Sequence, residues 1–556
     1  MKKILNISFL ALLVSLILTT SCIGDLNTQP LNETDATSET AYKDEVSYLK
    51  SLGYIYGYWA LASQNDAGSS DISVADAGQS ELCRMYVILN ELSTDALKII
   101  WGDNYINPIQ YHKWTSADNE AIIAVYTRCM KGITLANEFL VRTTPEMLAS
   151  RGHEAFQKTI DQYRAEARFN RALYYYLLMD FFGNPPFAMP ENIGGDLPEQ
   201  IGRVELFKWI ESELKELSEL SDMPDKGTVP YPRATKGSVW ALLARMYLNA
   251  EVYTGTARWQ DAKDAAAKVI GMGYKLHDNY HELFMQDNTT NGAAEEFIFA
   301  ISYDKDQTQS WGGTTHLVSA TLSDAANAAI GAAVVGEGQL INPENWNGYH
   351  VADDYVARFQ LVNVKWGGEG FGYDRAASDK RAFFYNGGAT KEFDNTTTDS
   401  GWRCWKFSGL YSDGHAISSS ETNYKFSSID FPIFRLPEMY LIYAEADARL
   451  NGGNVSDETA KGYIRQLRQR AGVDATTPSI MDLNWLLDER ARELMWEGHR
   501  RVDLIRYGYF TSMQFPWTLK GGVPNGKIAL PDYRTIYPII ISDLNANPKL
   551  VQNPGY

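Results

Sequence analysis

The sequence predicts a mainly α protein, a tetratricopeptide-like helical repeat scaffold with a long loop-rich insertion. Apolar residues recur at helical spacing over many long stretches. Several of these stretches form hairpins, with alanines where two helices would cross. Between the hairpins lies a span rich in Gly, Asn, Thr, Ser and aromatics, at about residues 276–430. Loops of that length are uncommon and are usually functional.

In chain order, Met1-Lys2-Lys3 is a short basic start and Ile4–Leu18 is mostly apolar. With Thr19-Thr20-Ser21 they read as a secretory signal over residues 1–21, too short to anchor a protein stably. A small residue before Cys22 resembles a bacterial lipobox, so Cys22 is the expected lipidation site. Residues 22–40 are polar and read as a flexible tether, leaving 41–556 as one body.

Within that body, residues 120–141 and 154–182 are predicted helices, the second stopped by Gly183-Asn184-Pro185-Pro186. Helices follow over 203–220, 238–250 and 259–270, the last with Ala262, Ala265, Ala266 and Ala267 for close crossing. Residues 436–450 and 456–471 form a further hairpin split by Asn451-Gly452-Gly453, and 483–498 a final helix closed by Gly498. Leu483, Leu486, Leu487, Ala491 and Leu494 make its apolar face. Glu489, Arg490, Arg492, Glu493 and Glu497 are expected on a solvated, ion-paired face. The scaffold thus spans about 120–275 and 431–508, with excursions at about 60–118 and 276–430.

The formal charge of the 556 residues is −18, which disfavours nucleic-acid binding by phosphate repulsion. Loss of residues 1–21 would remove Lys2 and Lys3 and no acid, leaving 49 basic and 69 acidic residues, or −20. Cys22, Cys83, Cys129 and Cys404 show no CxxC spacing, and buried free thiols are expected once Cys22 is set aside. Aromatics are plentiful, with 14 Trp, 33 Tyr and 22 Phe, and many should lie in the core. Some should form surface platforms for a flat, uncharged ligand.

Catalytic motifs fail on inspection. Gly521–Lys527 reads GxxxxGK, but Ile528 stands where a magnesium-holding Ser or Thr is required and Pro524 interrupts the loop. His281-Glu282 lacks the second histidine of a zinc helix, and His277 and His281 could at most share a helix face. Adjacent Asp353-Asp354 is a poor source of the two flanking carboxyls that glycoside hydrolysis needs. Asp287, Asn291 and Asp430 are hard oxygen donors, but Thr289, Thr290 and Ser428 dilute them, so no metal or other cofactor is expected.

Glu489-Arg490-Ala491-Arg492-Glu493-Leu494 and Trp496-Glu497-Gly498-His499-Arg500-Arg501-Val502-Asp503-Leu504-Ile505-Arg506-Tyr507-Gly508 resemble the C-terminal signature of the SusD/RagB glycan-binding lipoproteins of Bacteroidetes. Arg164–Phe169, Phe181–Pro186 and the closing Asn553-Pro554-Gly555-Tyr556 resemble that family too, so the likeness runs from lipobox to last residue. It implies a non-catalytic protein on the outside of the cell outer membrane, lipid-anchored, which binds polysaccharide and passes it to a TonB-dependent transporter of the SusC kind.

Asn90-Glu91-Leu92-Ser93-Thr94-Asp95 resembles the starch-binding branch, which implies an α-glucan ligand. By the same resemblance the stacking residues are Trp101, Trp311 and Trp346, with Arg84 and Asn104 as hydrogen-bonding partners of glucose hydroxyls. A bent α-glucan suits aromatics set on separate loops. Another polysaccharide such as dextran, a helical glycoside hydrolase, and an adhesive surface protein without a glycan site stay open at this stage.

Overall fold

The computed structural model describes residues 41–74, 76–116 and 119–556. The signal, Cys22 and the tether lie outside the described residues.

Helices dominate. Helix α1 (Glu45–Gly57) starts at Asp44, whose side chain and that of Ser47 cap each other reciprocally. Helix α2 (Leu82–Glu91) falls within the expected 60–118 excursion, yet all its residues are buried. Helices α3 (Glu120–Arg142) and α4 (Gln157–Phe182) pack along each other. Gly132 of α3 makes that approach feasible, because a methyl there would lie 2.6 Å from the Tyr174 ring of α4. Helices α5 (Arg203–Glu219), α6 (Lys236–Leu248) and α7 (Trp259–Ile270) follow. Ala262, Ala265 and Ala266 are buried on α7, which packs on α6 and on α10 (Leu436–Leu450). With α11 (Glu458–Arg470) and α12 (Leu483–Glu493), these helices make the hairpin stack that the periodicity implied.

The strands are short. Lys98–Ile99 (β1) pairs antiparallel with Tyr349–His350 (β3), and Phe384–Tyr385 (β4) pairs with Arg403–Cys404 (β5). Phe297–Ile301 (β2) pairs with Phe431–Arg435 (β6), with Ile301 opposite Phe431. This β2–β6 ribbon is the stem of the insertion: the chain leaves the helices at Ile301 and returns at Phe431. The insertion itself carries α8 (Gly313–Ser319), α9 (Asp324–Val334) and a single helical turn at Asp353–Val356. Cys83, Cys129 and Cys404 are buried free thiols.

The final helix differs from expectation in two ways. It stops at Glu493 rather than at Gly498, with Trp496 at φ 61° and Gly498 at φ 80° beyond its end. The chain then re-enters helix as α13 (Arg500–Arg506). Nor is its polar face solvated: Glu489, Glu493 and Glu497 are each no more than 1% exposed.

Their partners come from far along the chain. Arg435 of β6 reaches Glu497 at 2.6 Å and Glu493 at 2.6 Å. Arg381 of the insertion reaches Glu489 at 2.7 Å, and Lys406 reaches Glu497 at 2.6 Å. Arg468 and Arg470 of α11 pair with Glu489 and Glu493. Helical spacing shows which residues share a face but not what covers it. Here the insertion, through Arg381 and Lys406, and the scaffold's own β6 and α11 cover it together, so charge ties the insertion to the scaffold.

His277 and His281 share no helix face. His277 bonds Glu282 at 2.7 Å, whereas His281 is buried against Phe383 with ring centroids 4.1 Å apart. Burial drives the His281 imidazole down to about 3, so it stays neutral. The oxygen donors at 287, 291 and 430 are likewise used internally. Asp287 accepts from Ser412 N, Asn291 donates to Glu282 O, and Asp430 accepts from Tyr303 N.

Candidate functional site

The β1–β3 pairing brings two distant loops together. Trp101 follows β1 and Trp346 precedes β3. Trp101 Nε1 donates to the Trp346 carbonyl at 3.2 Å, and Ile100 N donates to Gly348 O at 3.1 Å. Residue 348 must be glycine, since a methyl there would fall inside the Trp101 indole, 1.9 Å from Cε2. Trp346 N is held by Ser319 O at 2.7 Å, at the end of α8. The loop entering α8 supplies the third indole, Trp311.

The three expected stacking residues therefore meet on one face. Ring centroids are 6.4 Å apart for Trp101 and Trp346, and 6.2 Å for Trp346 and Trp311. The interplanar angles are 52° and 53°, so each indole is turned from its neighbour and the platform is not planar. All three are half-buried, anchored on one side and open on the other. Phe426 adjoins Trp311 at 4.8 Å and extends the row. Sequence reading missed Phe426, which lies in a Ser-rich stretch and shows no spacing to the tryptophans.

The two expected polar partners are placed differently. Asn104 is exposed three residues after Trp101. Arg84, on α2, is only 5% exposed. Its Nη1 donates to the Trp311 carbonyl at 3.2 Å, so it sits beneath the row of indoles and carries Trp311.

A buried column supports the platform from below. Trp101 packs on Tyr349 at 5.3 Å, and Tyr349 packs edge-on against Trp496 at 6.1 Å. Trp496 Nε1 donates to Ala96 O at 2.9 Å. Glu91 accepts from Gly498 N at 2.8 Å, and Arg500 grips Asp95 through both carboxylate oxygens. The Trp496–Arg500 segment thus locks the loop that leads into β1 and Trp101. Burial raises the Glu91 carboxyl to about 8 although backbone amides oppose that rise.

The arrangement offers apolar ring faces, with the exposed Asn104 three residues from Trp101 as a partner for hydroxyls. Among the described residues no group of three or more His, Cys, Asp or Glu is placed to hold a metal. A separate apolar crevice of 260 Å³, between α1 and β2, is lined by Leu49, Leu52, Tyr56, Pro232 and Ile301 and has no tryptophan.

The model of the SusD family matches residues 295–556, and that described as starch-binding associating with outer membrane matches residues 73–248. The chain is 33% identical, over all of its length and 99% of the relative's, to the starch-binding protein SusD of Bacteroides thetaiotaomicron. It is 23% identical to the SusD-like protein P25 of Formosa agariphila, over 70% of this chain and 73% of that protein. Among solved structures, it is similar to surface glycan-binding protein A of Bacteroides thetaiotaomicron in complex with laminarihexaose, with a TM-score of 0.66 and 17% identity. That match covers 92% of this chain and 99% of the other. A laminarin-binding SusD-like protein matches with a TM-score of 0.65 and 20% identity, over 93% of this chain and 100% of that one.

Proposed function

The chain belongs to the SusD/RagB family of non-catalytic glycan-binding proteins of the outer membrane, and on that premise we propose that it binds α-glucan. Trp101, Trp346 and Trp311 would stack on successive glucose rings, and Asn104 would exchange hydrogen bonds with hydroxyls. The body 41–556 would work as one unit, with the excursions 60–118 and 276–430 each supplying part of the site. The bound chain would then pass to a TonB-dependent transporter.

The observation that carries this reading is the gathering of three half-buried, non-coplanar indoles from separate loops, with neighbouring centroids 6.4 Å and 6.2 Å apart. Non-coplanar faces suit a polymer whose own rings turn along the chain; a flat ribbon-like glycan is better served by coplanar ones. The starch-binding relative, at 33% identity, supports the same ligand class. The laminarin-binding structures, at 20% identity and below, speak only for the fold.

Isothermal titration of the protein lacking residues 1–22 against maltoheptaose, laminarihexaose, dextran and fructan tests the assignment. Binding is expected for maltoheptaose, stronger than for maltotriose because more rings are engaged. Silence with maltoheptaose alongside heat from laminarihexaose would transfer the site to β-glucan. Release of reducing ends by the pure protein would return the hydrolase reading.

Cys22 would hold the protein at the membrane through acyl chains, two of them being needed for stable anchoring. Full-length protein from membranes is expected to begin at an acylated Cys22 by mass spectrometry. An N-terminal peptide bearing a free Cys22 thiol would refute the anchor.

A further inference from the structure

Glu81 joins the two segments from which the indole platform is built. It lies fully buried at the N-terminus of α2, where its Oε2 accepts from Arg84 N at 2.6 Å. The same oxygen accepts from Gly313 N at 2.8 Å, two residues beyond Trp311. Tyr303, just after β2, donates its hydroxyl to Oε1. The surroundings leave no slack. A methyl on Gly312 would lie 2.6 Å from Glu81 Cβ, and one on Gly78 would lie 2.6 Å from Trp311 Cβ. Arg84, whose amide Glu81 holds, supports the Trp311 carbonyl from beneath.

We propose that Glu81 is a positioning residue for the glycan site, its carboxylate setting the place of Trp311 by tying α2 to the Gly312–Gly313 backbone. This rests on the reading of the indole row as the binding face and deepens it.

The tie should respond to protons. Burial pushes the Glu81 carboxyl up to about 7, against its hydrogen bonds from Tyr303, Arg84 N and Gly313 N and the charge of Arg128 on α3. Cys83, on its own helix, is the other titratable group facing it, and that thiol is raised well above its usual value by burial. Arg128 is itself engaged by Asp71 and by the carbonyls of Ser80 and Ala62. Ionised, the carboxylate accepts from all three donors. Protonated, its proton faces Tyr303, and both amides are left with a neutral acceptor. Hydrogen bonds to a charged acceptor are roughly twice as strong as neutral ones, so the tie loosens on the acid side.

The test follows Trp311 emission and maltoheptaose affinity together from about pH 5.5 to about pH 8.5. The Trp311 signal is the difference between each protein and its Trp311→Phe counterpart. In the wild type the signal is expected to step near neutrality, with affinity about threefold weaker at the acid end. In Glu81→Gln, a neutral isostere, the Trp311 step should vanish and the signal lie at the acid-end level, and affinity should keep only the pH dependence that Glu91, beneath Trp101, contributes. A flat wild-type Trp311 signal, or a step that survives in Glu81→Gln, overturns the proposal. Should the variant fail to fold, Tyr303→Phe decides: it removes one donor to the Glu81 carboxylate and leaves Glu91 and Asp430, which titrate in the same range, with their own partners, so the Trp311 step should move to higher pH, and an unmoved step overturns the proposal. If no maltoheptaose binds at any pH while the Trp311 step is present in wild type and absent in Glu81→Gln, the ligand reading falls and the positioning role stands.

Discussion

Glu493→Ala is expected to lower folding stability by about 3–5 kcal/mol, the cost of removing one partner from a buried ion cluster. Glu493 is fully buried and receives Arg435 at 2.6 Å, Arg381 at 3.1 Å and also Arg470. Truncation leaves these guanidiniums in a low-dielectric interior with a carboxylate missing. An exposed pair offers the contrast. Glu138 and Arg142 face each other across one turn of α3 at side-chain exposures of 38% and 33%, so Glu138→Ala should change stability by no more than about 0.5 kcal/mol. Urea unfolding of the two variants beside the wild type checks both figures. A loss below about 1 kcal/mol for Glu493→Ala would mean that the cluster reorganises and is not a rigid joint.

Acid should act on the same joint. Burial alone would raise the Glu493 carboxyl, but Arg470, Arg435 and Arg381 hold it at about 2, below its ordinary 4.5. A group whose folded value is depressed stabilises the fold above its unfolded value and ceases to do so as pH falls through the folded one. Stability should therefore decline between about pH 4.5 and about pH 2, and Glu493→Ala should show less of that decline.

What was legible in the sequence was what neighbouring residues determine. The helix at 436–450 matches to the residue, because Pro437 at its start and Asn451-Gly452-Gly453 at its end are local signals. The final helix ran on too far on paper because Leu494, only 2% exposed, continues the apolar stripe after the backbone has left helical geometry. The polar face of that helix was misjudged because its partners stand at 381, 406, 435, 468 and 470, and spacing within one helix says nothing of them. The meeting of the tryptophans was beyond periodicity for the same reason. It depends on a ladder of two residues per strand, Lys98 opposite His350 and Ile99 opposite Tyr349, too short for propensity to register. Family likeness supplied the three indoles; it did not supply Phe426, nor show that Arg84 lies under the platform.

Trp101→Ala and Trp311→Ala are each expected to weaken maltoheptaose binding about 30-fold, or about 2 kcal/mol, as befits a large aromatic at the centre of a contact. Together they should bring binding below detection by titration, since Trp346 alone offers one ring face to a long polymer. The losses need not add, because Trp346 touches both neighbours and removal of either alters its support. The backbone beneath should persist. Trp346 N remains held by Ser319, and the β1–β3 ladder does not involve the indoles. Melting temperatures near that of the wild type would thus separate a lost contact from a lost fold. Trp366 supplies the control: it too is half-buried in a glycine-rich loop, but it packs against Trp402, apart from the row of indoles. Trp366→Ala should bind maltoheptaose as the wild type does. Equal losses from Trp366→Ala and Trp311→Ala would show that aromatic surface in general, not this platform, retains the glycan. Unchanged affinity in Trp101→Ala and Trp311→Ala would move the site elsewhere on the molecule.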